Sequence, residues 1–298
     1  NSLPYVVVSR RSDELVERLL QDDYPIIFEG LHSCYHLGDP RLALRKRYVR
    51  THNVEHDYYD GLANAERGAF KRTYFVNEAR KLKKFEPVLS EADGIFTISP
   101  NDQRYFSQHF RNVKQIPAFH SNDRVDVPSG LGDFCFYHGA LGVPENDQAA
   151  LYLVREVFKG LPIPLVIAGS GASSELKSAV AKSNNVKLRE HLGTEEITAL
   201  VKAAQVNVLP TFQSTGIKLK LLLCLFAGRH VVCNSPMVKD TGLEDLCHVH
   251  DDPDRMRLSI QACMAQHCDG AMIEKRTATM EQRFSNKRNA EAILRVVR

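Results

Sequence analysis

From residue 134 onward, short runs of β-branched and aromatic residues alternate with stretches in which apolar side chains recur every three or four positions. That alternation predicts parallel strands wrapped by helices. The pattern reads as strand 134–138, helix 146–158, strand 165–168, helix 173–183 and strand 186–188, then a helix capped by Thr194 with Glu195 and Glu196 in its first turn, where carboxylates suit the dipole. Strand 206–209, helix 218–226, a stop at Gly228 and strand 230–234 complete a Rossmann-like unit. The first 120 residues follow the same grammar less completely, with helix 13–21, strand 25–29, a strand ending near His52, a long helix over about 66–90 and strand 94–99. Residues 122–133 carry Pro128, Ser129, Gly130 and Gly132 without apolar period and read as a linker, and a polar helix over about 280–297 ends the chain. The predicted fold class is α/β, with two Rossmann-like domains facing across a cleft, at 1–125 and 126–280, followed by a C-terminal helical segment at 281–298.

Composition narrows the function classes. A chain of 298 residues with 43% hydrophobic and 25% charged positions has ordinary globular values, which excludes disordered, fibrous and collagen-like classes. The longest uninterrupted apolar run, residues 221–227, falls far short of the roughly 20 needed to span a bilayer. Lys and Arg (39) nearly balance Asp and Glu (36), so no basic footprint for duplex nucleic acid exists and none is expected as a partner. Seven cysteines without a CxxC pair, Cys135 and Cys224 among them inside FCFYHG and LLLCLF, read as buried, reduced thiols of a cytoplasmic protein. The chain opens Asn1-Ser-Leu-Pro, with neither an initiating Met nor a signal pattern, so its true start is expected upstream.

Ligands of such folds bind at the carboxyl ends of the strands, so the strand-end loops hold the candidate chemistry. The first is His138-Gly139-Ala140-Leu141-Gly142-Val143-Pro144-Glu145-Asn146, which reads either as a backbone cradle for phosphate ahead of a helix N-terminus or as a strand-to-helix turn capped by Asn146. Ala168-Gly169-Ser170-Gly171 offers a second glycine turn, which by itself is a weak signal. The third, Thr211 to Lys220, is the most informative. Gly216 precedes a helix whose first turn holds Lys218 and Lys220, where cations oppose the dipole and call for an anion such as a ligand phosphate; snorkelling lysines are the alternative. In the first half, Arg50-Thr51-His52-Asn53-Val54-Glu55-His56 with Tyr58 and Tyr59 reads as strand and loop, a polar cluster facing ligand, and Glu29-Gly30-Leu31-His32 is a second such end. No metal is expected at His52 and His56, because the segment is not helical and no further ligand clusters with them. GxSxG, GKS or GKT and spaced Cys/His motifs are absent, removing hydrolase, P-loop and zinc readings.

The order and spacing of FYHGALGVPEN, VIAGSG, HLGTEEITALVKAAQVNVLP and TGIKLKLLLCLFAGRHVV resemble the donor-binding domain of two-domain GT-B glycosyltransferases of the group-1, mannosyltransferase-like type. EGLH, VRTHNVEHDYY, FEPVLSEADGIFTIS and VKQIPAFH resemble the acceptor-side domain of the same enzymes, in the form found in Bacteroidetes-type members. The resemblance implies that Gly139, Gly169 and Gly171 lie beside the donor diphosphate. It places Thr215, Gly216, Lys218 and Lys220 on the segment touching phosphates and transferred sugar, and His52 near that sugar. It also implies that the helix beginning near Met280, with Asn286 and Asn289, crosses back onto the first domain, and that the opening strand of that domain is missing. Two glutamates common in the family are Thr215 and Leu223 here, the usual arginine after the strand-end glycine is Ala140, and the lysine that follows has no counterpart in Val143-Pro144-Glu145.

The expected activity is transfer of a hexose, with mannose a candidate, from a nucleotide-diphosphate sugar to a hydroxyl of a glycan or lipid-linked acceptor. No cofactor is expected beyond the nucleotide sugar itself. Cytoplasmic location is expected, with peripheral contact at the inner face of the membrane left open. Two rivals stay open: a nucleotide-sugar epimerase of the same fold using Glu29 and Glu55, and a non-catalytic module binding sugar nucleotide or glycan.

Overall fold

The computed structural model describes residues 2–66, 68–212 and 218–298. By packing, they fall into two units, one made of residues up to Ala118 together with Lys287–Arg298, the other starting at Phe119 and ending at Asn286.

The first unit contains α1 (Tyr5–Val8), α2 (Asp13–Leu19), β1 (Ile26–Glu29), β2 (Arg47–Thr51), α3 (Glu55–Ala65), α4 (Ala69–Phe85), β3 (Gly94–Thr97), α5 (Pro100–His109) and β4 (Val113–Gln115). Its strands lie in the order β1-β2-β3-β4, all parallel. The helices bury Val16, Leu82 and Phe106 against Phe28, Val49 and Ile95 of the sheet. Each such side chain contributes about 1.5–3 kcal/mol when fully removed from water. The long helix expected over 66–90 is α4, followed by a 3-10 turn at Glu86–Glu91, and α3 precedes it in a stretch read as strand and loop. Gly68 takes an extended conformation as the N-cap of α4, and Pro87 cannot continue an α-helix.

The second unit contains β5 (Cys135–His138), α6 (Pro144–Tyr152), β6 (Leu165–Ala168), α7 (Ser174–Ala181), β7 (Val186–Arg189), α8 (Thr194–Ala203), β8 (Val206–Leu209), α9 (Leu219–Ala227), β9 (His230–Cys233), α10 (Ser235–Val238), β10 (His248–Val249), α11 (Pro253–Met264) and α12 (Gly270–Phe284). A π-helical turn, Leu153–Val157, extends α6. The strand order β10-β9-β8-β5-β6-β7 is all parallel and reverses between β5 and β8. This is the doubly wound Rossmann order, so the two predicted Rossmann-like units are observed. Tyr137, Ile167, Val206 and Val208 from the sheet pack with Leu153, Phe158, Met256 and Ile260 in one core. Gly193, not Thr194, is the N-cap of α8; the Glu196 carboxylate accepts from its N–H at 2.9 Å.

The terminal helix expected over 280–297 is two helices, α12 and α13 (Asn286–Val297), separated by extended Ser285. Beyond Asn286 the chain belongs with the first unit, where Tyr48 Oη donates to the Val296 carbonyl at 3.1 Å.

Candidate functional site

Strand order points to the carboxyl ends of β5 and β8. Where two neighbouring strands send their helices to opposite faces, ligands of such folds bind outside the sheet at the strand ends, and here those strands are β5 and β8. The β5 loop carries Gly139 and leads into α6; the chain after β8 leads, through residues outside the described set, to α9. Thr215 and Gly216, both expected on the phosphate side, lie outside the described residues.

Lys218 is the N-cap of α9 and Lys220 lies in its first turn, which holds no acidic residue. Both ammonium groups turn toward the start of α6. Lys220 Nζ donates to Asn146 Oδ1 at 2.7 Å and lies 5.1 Å from the centre of the buried Tyr137 ring, a cation–π contact. Lys218 Nζ stands 4.0 Å from Glu145 Oε1. Glu145 is buried and also accepts from the Thr211 hydroxyl. Thr211 is in turn latched to the end of β9, its N–H donating to Asn234 Oδ1 at 3.0 Å and its carbonyl accepting from Asn234 Nδ2 at 2.7 Å.

The anion that the two lysines call for is thus supplied in part from within, by Glu145. One carboxylate shared by two ammonium groups leaves the cluster with positive charge. Burial pushes the Lys220 ammonium down to about 8, with Glu145 pulling the other way, and shifts Lys218 in the same direction. His138, at the end of β5, is held down to about 4 by burial and by Lys220, so it is neutral near pH 7. Its Nε2 lies 3.9 Å from Cys224 Sγ, and its ring stacks on Phe136.

Asn146 is not the helix cap it was expected to be. α6 starts at Pro144 with Val143 as N-cap, and Asn146 uses its side chain to join the β5 loop to Lys220, its Nδ2 donating to the Ala140 carbonyl at 3.1 Å. The glycines of the second loop have a packing reason of their own. Gly169 has φ +152°, and a Cβ there would sit 1.8 Å from the Gly139 carbonyl oxygen; at Gly171, φ +84°, it would meet Gly142 Cα at 2.9 Å. Backbone thus lies on backbone, with the Gly142 N–H donating to the Ser170 carbonyl at 3.0 Å. Gly139, Gly169, Gly171, Lys218 and Lys220 are therefore gathered on one edge of the second unit. Glu145, Asn146, Tyr137, Thr211 and Asn234 belong to the same arrangement without having been singled out. The only available signal was that Glu145 and Asn146 follow a strand-end glycine.

In the first unit, β1 and β2 are neighbours in register, Glu29 opposite Arg50, which brings their ends together. Glu29 Oε2 accepts from His52 Nε2 at 3.0 Å and Arg50 Nη1 at 3.2 Å, and its carboxyl is held below the usual range first by His52 and then, against its own burial, by Arg50. His32 lies 3.7 Å from Glu55 and edge-on to His52 at 6.0 Å between ring centres. Only part of the expected polar cluster faces outward. Glu55 opens α3, and His56, expected in a loop toward ligand, is 5% exposed with Nδ1 3.3 Å from Glu86, which also accepts from Tyr105 Oη at 2.6 Å. That carboxylate raises the His56 pKa, outweighing the effect of burial. The helix forms here because Glu55 and Asp57 favour its first turn, so His56 points into the core.

All seven cysteines are free, five of them buried. Among the described residues no helix is long and apolar enough to cross a membrane.

No family model matches the chain. An uncharacterized 44.6 kDa protein in the cps region of Klebsiella pneumoniae is 28% identical over 255 residues, covering 80% of this chain and 64% of that protein. Among solved structures, TarM of S. aureus superimposes with a TM-score of 0.73 at 15% identity, over 95% of this chain and 57% of TarM, and a TarM mutant is seen in complex with Fondaparinux, α-GlcNAc-glycerol and UDP. Sucrose-phosphate synthase from Thermosynechococcus elongatus gives 0.69 at 13% identity, covering 95% of this chain and 77% of that one. Anabaena HepE in complex with UDP and glucose gives 0.68 at 14%, covering 95% and 80%. These are GT-B glycosyltransferases, and the likeness establishes the GT-B fold for this chain. The chain spans less than two thirds of the K. pneumoniae protein and of TarM.

Proposed function

We propose that this protein is a glycosyltransferase that moves a hexose from a nucleotide-diphosphate sugar to a hydroxyl of a glycan or lipid-linked acceptor. The observation that carries the reading is the pair Lys218 and Lys220, half-buried at the head of α9 beside the strand-order reversal, with Lys218 against the Glu145 carboxylate and Lys220 bonded to Asn146. UDP in the TarM and HepE complexes supports a uridine nucleotide as the first donor to try.

In this reading the diphosphate displaces the lysines from Asn146 and Glu145 and takes up their positive charge. As the glycosidic bond to the phosphate oxygen lengthens, negative charge grows on the leaving diphosphate, and preorganised cations lower the barrier most where charge develops. Gly139 admits backbone amides close to the phosphates, while Gly169 and Gly171 let the second loop seat the first. On the acceptor side Glu29 accepts from His52 Nε2–H, which leaves Nδ1 as the acceptor for a sugar or acceptor hydroxyl. In the epimerase alternative Glu29 would be the base of the pair, since His52 and Arg50 favour its carboxylate form. The reaction needs no membrane-spanning segment, and we place the enzyme in the cytoplasm, where nucleotide sugars would reach it.

The test is a panel of nucleoside diphosphates and their sugars, read first by thermal shift, since a ligand bound only by the folded chain raises its melting temperature. One nucleotide should give a clear shift, and adding a glycan acceptor library should then release that nucleotide. Sugar interconversion without acceptor would favour the epimerase, binding without turnover a non-catalytic module, and no shift from any nucleotide would refute the donor site.

A further inference from the structure

At the amino end of the second sheet, away from the strand ends that carry the lysines, three side chains from three separate elements meet. His230 opens β9, His248 opens β10, and Cys263 lies in the last turn of α11. One ligand atom from each lies within 4.8 Å of the others, and among the described residues this is the group of histidine, cysteine and carboxylate side chains close enough to share an ion.

His230 is 1% exposed and Cys263 likewise, so neither is placed there for solvent. The His230 ring is oriented by a backbone acceptor: Nε2 donates to the Gln266 carbonyl at 2.9 Å. That bond puts the proton on Nε2 and leaves the lone pair on Nδ1. Nδ1 is buried without a hydrogen-bond partner. Such an orphan is unfavourable in a core, whereas a ring fixed by a carbonyl on one nitrogen with the other free is how proteins present histidine to a metal. The Gln266 carbonyl is itself anchored, since Gln205 Nε2 donates to it at 2.7 Å and to the Cys263 carbonyl at 2.8 Å. The bonds that orient the His230 ring therefore exist independently of any ion.

We infer that His230 Nδ1, His248 and Cys263 Sγ form a structural site for a thiophilic divalent cation of the zinc class. Two imidazoles and one thiolate are a donor set that zinc accepts, with a fourth position for water. A crevice of about 120 Å³ lined by His248, Cys247 and Arg276 gives that position a route to solvent. Coordination breaks the Cys263 S–H bond, forms the S–metal bond and releases the proton to water, so binding weakens as pH falls. Burial acts in both directions: it keeps His230 and His248 neutral and ready to coordinate, and it holds the Cys263 thiol up at about 11 until a metal takes the proton's place. Arg276 is the opposing charge. Its guanidinium is buried nearby and donates to the Gly228 and Arg229 carbonyls at 2.6 and 2.7 Å. A tetrahedral N/S site spaces its ligand atoms at about 3.4–3.8 Å, so the three must draw together slightly. The contact joins the edge strand β10 and α11 to β9, which suits a clip rather than a catalyst. Sequence spacing hid it, because positions 230, 248 and 263 belong to no short motif.

The probe is Co(II), added to the full chain after chelation and dialysis under reducing conditions. One equivalent should produce a near-ultraviolet thiolate-to-cobalt charge-transfer band with tetrahedral visible bands, and Zn(II) should displace it. Cys263→Ser should abolish the charge-transfer band, while Cys247→Ser and Cys268→Ser keep it. Should Cys263→Ser fail to fold, His248→Gln supplies the decision, because His248 is half-buried rather than in the core: Zn(II) should raise the melting temperature of the unmodified chain and leave this variant unmoved, with affinity down at least about tenfold. The site is refuted by a folded chain that shows no charge-transfer band, or by a band or a zinc-induced shift that survives in His248→Gln unchanged.

Discussion

Lys220 concentrates the chemistry of the second unit in one side chain: a cation in a half-buried position, held by Asn146 and the Tyr137 ring rather than by an exclusive carboxylate. Replacing it with Ala removes a charge-assisted bond to the diphosphate, and binding of a nucleoside diphosphate should weaken by about 1.5–3 kcal/mol, or roughly 10- to 150-fold. Isothermal titration reads this directly, and unchanged affinity sinks the assignment. The same residue sets a pH dependence. Only the ammonium form attracts phosphate, so diphosphate affinity should fall as pH rises through about 8, and Lys220→Arg should flatten that fall because guanidinium keeps its proton. For stability the sign is opposite: the unfolded chain holds this proton up to about 10.5, so burial of the charge costs most below pH 8 and the cost fades between the two values. The two lysines could be picked out of the sequence because cations at a helix N-terminus are anomalous on their own terms. Glu145 and Asn146 could not, since their role comes from a neighbouring helix more than 70 positions away. His56 misled for the converse reason: beside His52 in the chain, it is turned inward by the helix that Glu55 begins.

The two glycine loops show how one element seats another. Gly169 is held at φ +152° with the Gly139 carbonyl where its Cβ would be, so Gly169→Ala has to push the β5 loop away from the β6 loop. A loss of at least about 3 kcal/mol is expected, the scale of forced backbone displacement in a packed region. Chemical denaturation measures it. A change within about 0.5 kcal/mol, the range of ordinary surface substitutions, would show that the loops part freely. The strands of both sheets other than β4 and β10 were readable because parallel strands buried in a sheet appear as short apolar runs. Helix boundaries were less readable. Residues 55–65 and 100–109 form α3 and α5 with many polar positions, and their helicity rests on packing and on caps such as Ser99, whose side chain accepts from the Asp102 N–H at 3.1 Å. The β10 strand of two residues and α11 carried too little periodicity to register before the sheet was seen.

At the scale of the whole chain, the backbone passes from the first unit to the second at 118/119 and returns at 286/287, so the last helix is an element of the first unit supplied from the far end of the sequence. Asn286 is fastened to His120, its Oδ1 accepting from the His120 N–H at 3.2 Å and its Nδ2 donating to the His120 carbonyl at 2.7 Å. Beyond it, buried Asn289 donates to the Pro117 carbonyl at 3.3 Å and Tyr48 to Val296. Ending the chain at Asn286 removes those two bonds, about 0.5–1.5 kcal/mol each, together with the apolar contacts of the helix. The loss falls on one unit. Amide exchange should accelerate in β2 and β3, whose Tyr48 and Phe96 stack together, and remain slow in β5, β6 and β8. Every described residue assigned here to diphosphate binding lies in the second unit, so the shortened chain should keep its nucleotide affinity while losing transfer to an acceptor. Equal acceleration of exchange in both sheets would show that the units do not unfold separately, and loss of nucleotide binding would show that the donor site draws on the first unit as well.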